Sequence, residues 1–128
     1  MCRGDTGKRK GDKTLRNMSR KYQLIALDMD GTVLNDEKQI DKETKEAIQD
    51  ALAAGVEVVF CTGRSLAEMR DILVQFPNMN YLCGESGALV VDLKNGKILH
   101  RDEIDRQTSE LLMEASQRKD VMVCTFSE

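Results

Sequence analysis

The sequence predicts an α/β domain built around a parallel sheet, and three observations carry that expectation. From Tyr22 to Cys83, short apolar runs alternate with amphipathic stretches in the order strand, helix, strand, helix, strand. The runs are almost wholly apolar, as in strands covered on both faces, where half-exposed strands would alternate. The 128 residues are 41% hydrophobic and lack tryptophan, and their apolar content is mostly Leu, Ile, Val, Ala and Met, which suits one compact domain.

The first strand is read from Tyr22-Gln23-Leu24-Ile25-Ala26-Leu27, which ends abruptly in the polar loop Asp28-Met29-Asp30-Gly31-Thr32. After a turn around Asn35-Asp36, Asp41 is expected to cap a helix that carries Thr44, Ala47, Ile48, Ala51 and Leu52 on one face and stops at Gly55. Val56 to Phe60 is the second strand, followed by Cys61-Thr62-Gly63-Arg64. Ser65 and Glu68 have the spacing of a capping box for a helix turning Leu66, Met69, Leu73 and Phe76 inward, with Pro77 as its stop. The third strand, Tyr81-Leu82-Cys83, leads into Gly84-Glu85-Ser86-Gly87. Right-handed crossovers between such strands imply a parallel sheet with helices on its faces. Ligands bind such sheets at the carboxyl ends of the strands, the edge to which Asp28, Asp30, Thr62, Arg64 and the Gly84 to Gly87 loop are all assigned. Beyond it the pattern changes. Ala88 to Asp92 and Lys97 to Arg101 flank Lys94-Asn95-Gly96, a hairpin signal. Asp105 to Arg118 is expected to be a helix with Ile104, Thr108, Leu111, Leu112 and Ala115 on one side, and Val121 to Phe126 to begin another strand.

Charge is unevenly distributed. Residues 1–21 hold eight cationic and two acidic side chains, a balance of +6, so the remainder of a chain with net charge −3 carries −9. The acidic part is a poor general binder of nucleic acid. The basic leader has almost no apolar residues and is expected to be disordered; an unstructured extension is favoured over a nucleic-acid tail or a targeting signal. The four cysteines show no CxxC spacing and the lone His100 completes no zinc set, so binding of metal through sulfur is not expected. Without an export signal or a membrane-length apolar stretch, the expected setting is a reducing cytoplasm, with no membrane partner.

Two aspartates spaced by one residue at a strand end supply one carboxylate to attack and one to move protons. Their oxygens also suit a hard cation such as Mg²⁺, which binds substrate phosphate as well. Magnesium beside Asp28 and Asp30 would offset the repulsion between a phosphate ester and an anionic nucleophile. Asp28 would then form an aspartyl phosphate, while Asp30 protonates the leaving oxygen and later takes a proton from water. An isolated Asp-x-Asp-Gly is more often a surface turn or part of a calcium loop, but the buried strand before this one favours the functional reading.

Leu27-Asp28-Met29-Asp30-Gly31-Thr32-Val33-Leu34 resembles the signature loop of the haloacid dehalogenase superfamily, and the likeness extends over nearly everything from Tyr22 onward. The resemblance implies a Rossmann-like core with Asp28 as nucleophile and Asp30 as general acid and base. Thr62 matches the family's strand-end phosphate ligand, and Thr62-Gly63-Arg64 is similar to the form seen in Cof-type phosphatases of sugar phosphates and cofactors. The implied phosphate-binding residues are Thr62, Gly63 and Arg64, with a small phosphorylated metabolite as partner. Ser86 departs from the Asn usual in that subgroup. The family also needs a lysine beside the nucleophile and a later Gly-Asp loop; neither is found, and the lysines after Tyr22 are assigned to helices or the hairpin turn. The chain is therefore read as a fragment: a leader over 1–21, an incomplete core over 22–101, and the start of an inserted α+β cap over 102–128. Two other readings share parts of the pattern, and a third is a non-catalytic fragment with no function of its own. A phosphomutase or phosphotransferase would have the same loop. A receiver-like signalling domain would need its acceptor Asp after the third strand, where Cys83-Gly84-Glu85 stands.

Overall fold

The structure, a computed structural model, describes residues 22–117 together with 122, 123 and 125. The leader over 1–21, Cys2 and Cys124, and most of the strand expected over Val121 to Phe126 lie outside the described residues. The elements are β1 (Leu24–Asp28), α1 (Lys42–Ala53), β2 (Glu57–Cys61), α2 (Leu66–Leu73), β3 (Tyr81–Gly84), β4 (Leu89–Asp92), β5 (Lys97–Arg101) and α3 (Arg106–Gln117). All five strands form one sheet in the order β1-β2-β3-β4-β5. The β1–β2 and β2–β3 pairs are parallel, and β3–β4 and β4–β5 are antiparallel. The hairpin thus extends the parallel sheet.

Two successive crossovers that step the same way across a sheet leave both helices on one side of it. Ile48 of α1 and Met69 and Ile72 of α2 accordingly join Val58, Phe60 and Leu82 in a single core, together with Met29, Val33, Leu34, Phe76 and Met79. The expectation of helices on both faces is corrected for α1 and α2, because the strand order does not reverse within β1 to β3. Val59, Cys61, Tyr81 and Cys83, which alternate with the core positions, are only half-buried. Leu24 and Ile25 of the outer strand β1 are exposed. Phe60 and Phe76 are both buried and meet edge to face, with ring centroids 5.5 Å apart and planes at 81°.

The capping box of α2 forms as expected. Ser65 Oγ accepts from the Glu68 N–H, and the Glu68 carboxylate accepts from the Ser65 N–H at 2.7 Å. The helix ends at Leu73, ahead of Pro77, and short bonds from Gln75 N to Ile72 O and from Phe76 N to Leu73 O swing Phe76 into the core. Asp41 occupies the N-cap of α1 without capping it; its carboxylate accepts from Asn35 Nδ2 at 2.9 Å. The hairpin loop is wider than a two-residue Asn-Gly turn. Asp92 Oδ1 accepts from the N–H groups of Lys94 and Asn95, and Gly96 alone takes the left-handed conformation, at φ +64°. The apolar stripe of α3 faces outward, with Leu111 60% exposed.

Phe60→Ala should cost about 3–5 kcal/mol, the range for removing a buried aromatic ring. Leu111→Ala should fall within about 0.5 kcal/mol of the parent. Urea unfolding followed by circular dichroism compares them, and equal losses would show that α3 is packed in solution.

Candidate active site

Met29 is fully buried, and it anchors the acidic loop to the core while its neighbours Asp28 and Asp30 project toward solvent. The N–H groups of Thr32, Val33 and Leu34 all point at the Met29 carbonyl, at 3.3, 3.1 and 2.8 Å, and Gly31 takes the left-handed conformation that this tight turn needs. Thr32 Oγ1 donates to Asp28 Oδ2 at 3.0 Å, a contact the sequence reading missed. Pairing sets Asp28 opposite Cys61, so the chain leaving β2 begins beside it.

Thr62 is buried at that exit. Its N–H donates to the Cys83 carbonyl at 2.9 Å, and its Oγ1 accepts from the Arg64 N–H at 3.2 Å. Ser65 is the helix cap, leaving Thr62 free of that role. The Gly84 to Gly87 loop, whose contacts the sequence left open, is laced to this turn. Ser86 N donates to Thr62 O and Glu85 N to Arg64 O, each at 3.0 Å. Glu85 and Ser86 adopt left-handed φ values of +51° and +57° to make those bonds. The fit admits little more bulk: a Cβ at Gly63 would lie 3.3 Å from Ser86 Oγ, and one at Gly84 would lie 3.1 Å from the Arg64 carbonyl.

Asp30 is where the charges converge. Arg64 grips it with both arms, Nε to Oδ2 at 2.8 Å and Nη2 to Oδ1 at 2.7 Å, and Lys38 Nζ reaches Oδ1 at 3.0 Å. Hydrogen bonds from Arg64, then Lys38, hold the Asp30 carboxyl far below the usual carboxylate range. Asp30 in turn raises the Arg64 guanidinium further above its already high value. Lys38 corrects the assignment of every later lysine to a helix or the hairpin. It sits in the turn after the acidic loop, at φ +61°. Asn35 builds that turn, its carbonyl accepting from the Lys38 N–H and its Oδ1 from the N–H groups of Glu37 and Gln39. An Asn followed three residues later by Lys in a short turn was the signal available for it.

The expected metal ligands are unequal. Asp28 accepts a hydrogen bond from Thr32 and pairs with no cation among the described residues, whereas the Asp30 carboxylate is already held by two. Among the described residues no three acidic, His or Cys side chains cluster as a metal set. Cys61 and Cys83 are both free thiols, and burial, followed by the neighbouring Cys83 and Asp28, pushes the Cys61 thiol up. A groove of about 610 Å³ lined by Phe76, Met79, Asn80, Leu93 and Lys94 lies at the amino end of β3, opposite the carboxylates. No helix among the described residues is long and apolar enough to cross a membrane.

Residues 25–128 match the family model described as haloacid dehalogenase-like hydrolase. This chain belongs to that family. It is 41% identical over 86 residues to the 5-amino-6-(5-phospho-D-ribitylamino)uracil phosphatase YcsE of Bacillus subtilis, which covers 64% of this chain and 34% of that protein. The phosphatase YwpJ of the same organism is 33% identical over 85 residues, covering 66% and 30%. A solved haloacid dehalogenase-like hydrolase from B. subtilis superposes with a TM-score of 0.69 at 28% identity, covering 77% of this chain and 34% of that one. The chain spans about a third of the length of the relatives it matches. The family expectation drawn from Leu27 to Leu34 and the Rossmann-like core are therefore borne out.

The ion pairs set a sign for pH. A carboxyl whose folded-state value is depressed adds stability above its unfolded value of about 3.9, and that stability is lost as pH falls below it. In a ¹³C carboxyl titration Asp30 should titrate well below that value. Arg64→Met should raise its midpoint, and Lys38→Met should raise it less, since Arg64 makes two bonds to one. An unchanged midpoint in Arg64→Met would contradict the paired geometry.

Proposed function

We propose that this chain carries the nucleophile, the acid and base, and the phosphate cradle of a magnesium-dependent phosphomonoester hydrolase acting on a small phosphorylated metabolite. The observation that carries the reading is the meeting of three separate segments at one sheet edge: Asp28 and Asp30 after β1, Thr62 to Arg64 after β2, and the Gly84 to Gly87 loop after β3. Family membership and phosphatase relatives support it.

In this reading an Asp28 carboxylate oxygen attacks phosphorus and the ester P–O bond breaks. Asp30 delivers a proton to the departing oxygen, then accepts one from the water that opens the aspartyl phosphate. Thr62 and the backbone at Gly63 orient the phosphoryl group. Bound magnesium would sit against Asp28 and oxygens of the loop at Asp30, where it would offset phosphate charge. Arg64 links binding to proton transfer. In the resting geometry its grip, with that of Lys38, holds the Asp30 carboxyl below its usual range and so disfavours the protonated form. A phosphate dianion that draws Arg64 away would relieve the larger part of that depression, leaving the Lys38 contact in place. The reading also takes residues from 102 onward as the start of an inserted cap.

The test joins this chain to the remaining two thirds of the 41%-identical relative and measures phosphate release with magnesium. Asp28→Asn should abolish turnover, since an amide is a poor nucleophile. Asp30→Asn should slow alkyl phosphates about 100-fold or more and activated aryl phosphates much less, because only a poor leaving group needs the proton. Turnover surviving in Asp28→Asn would end the reading.

A further inference from the structure

β-Pairing places Cys61 and Cys83 directly opposite one another on adjacent parallel strands, with Asp28 opposite Cys61 on the other side. All three lie at the carboxyl ends of their strands. Within β2 and β3 the core positions Val58, Phe60 and Leu82 are buried, so Cys61 and Cys83 share the opposite, half-buried face. Both thiols are free, and neither is needed by the proposed hydrolysis. Adjacent strands run about 4.8 Å apart. That spacing falls inside the range of about 4.4–6.8 Å between Cα atoms that a disulfide spans, so the pair needs no large backbone movement to close.

We propose that Cys61 and Cys83 form a dithiol modification site, closed to a cross-strand disulfide by exchange with a low-molecular-weight disulfide. The thiolate of one cysteine attacks a sulfur of the small disulfide, breaking its S–S bond and releasing one small thiol. The second cysteine then attacks the protein sulfur of that mixed disulfide and releases the other. The protein gives up two electrons and the protons of its two thiols, and the small disulfide becomes two thiols. The mixed disulfide is short-lived because its partner sulfur is held beside it. The bridge would enclose Thr62 to Arg64 and all of α2 in one loop and tie β2 to β3 at the row that holds Asp28. This goes beyond the hydrolase reading and does not depend on it.

The test uses the full chain with Cys2→Ser and Cys124→Ser, so that the pair reacts alone. The folded protein is equilibrated with oxidised glutathione, its remaining thiols are blocked with N-ethylmaleimide, and the peptides are mapped by mass spectrometry. A linked peptide pair containing Cys61 and Cys83, with both thiols lost together and both restored by dithiothreitol, is expected. One equivalent of phenylarsine oxide, which bridges neighbouring thiols, should prevent the linkage. Adding Cys61→Ser or Cys83→Ser should instead leave a stable glutathione adduct on the surviving cysteine. Two unreacted thiols, or independent adducts on both cysteines without a bridge, would overturn the proposal. If the serine background fails to fold, the unmodified chain answers the same question, since peptide mapping separates its four cysteines.

Discussion

Parallel registry between β1 and β2 is the constraint on which the site depends. With Leu24 opposite Glu57 and Asp28 opposite Cys61, the two strands end level, so the loops that follow them start side by side. A one-residue slip would turn Asp28 to the other face and send Met29 out of the core. Registry is fixed from the buried side, by Val58 and Phe60 beneath α1 and α2 and by Met29 closing the end of β1. Packing of apolar side chains thus sets the position of groups that never enter the core.

Around Asp30 the local charge count is unusual, with one carboxylate facing two cations. Arg64 approaches in the planar two-armed geometry that a phosphate also accepts, and Lys38 as a single ammonium. Glu68, which caps the following helix, lies close enough to act on both Arg64 and Asp30, so the cluster is close to electrically balanced. The arrangement answers a difficulty built into paired carboxylates, which repel an anionic substrate. Here one of them is screened by Arg64 and Lys38. Lys38 keeps its place through a turn written by Asn35, at a position on the backbone that a lysine rarely adopts.

Much of this was legible in the sequence because it rests on local chemistry. The Ser65–Glu68 box, the abrupt strand end at Asp28 and the glycine at position 55 each have a near-neighbour cause. What escaped depends on contacts between distant segments. Nothing in the composition of β2 says that both helices lie on one face, since an apolar strand reads the same whether one or two faces are covered. The end of α2 at Leu73 also escaped, because Phe76 gains more by entering the core than by prolonging the helix toward Pro77. Asp41 has the right type and position for a cap and instead binds Asn35. The grip of Arg64 on Asp30 joins residues 34 positions apart, which no local pattern reports.

The two halves of the site differ in how firmly they are held. Thr62 to Arg64 are laced by backbone bonds to β3 and the loop after it, over buried Leu82 and Phe60. Asp28 belongs to the outer strand, which among the described residues pairs only with β2 and exposes Leu24 and Ile25. A strand paired on one side frays more readily than one paired on both. Thr62 to Arg64 are therefore fixed by the described residues, while Asp28 relies on Met29, Thr32 and a single ladder. Contacts that cover β1 from its open side would tighten Asp28 against a turn at Thr62 to Arg64 that is already held on two sides.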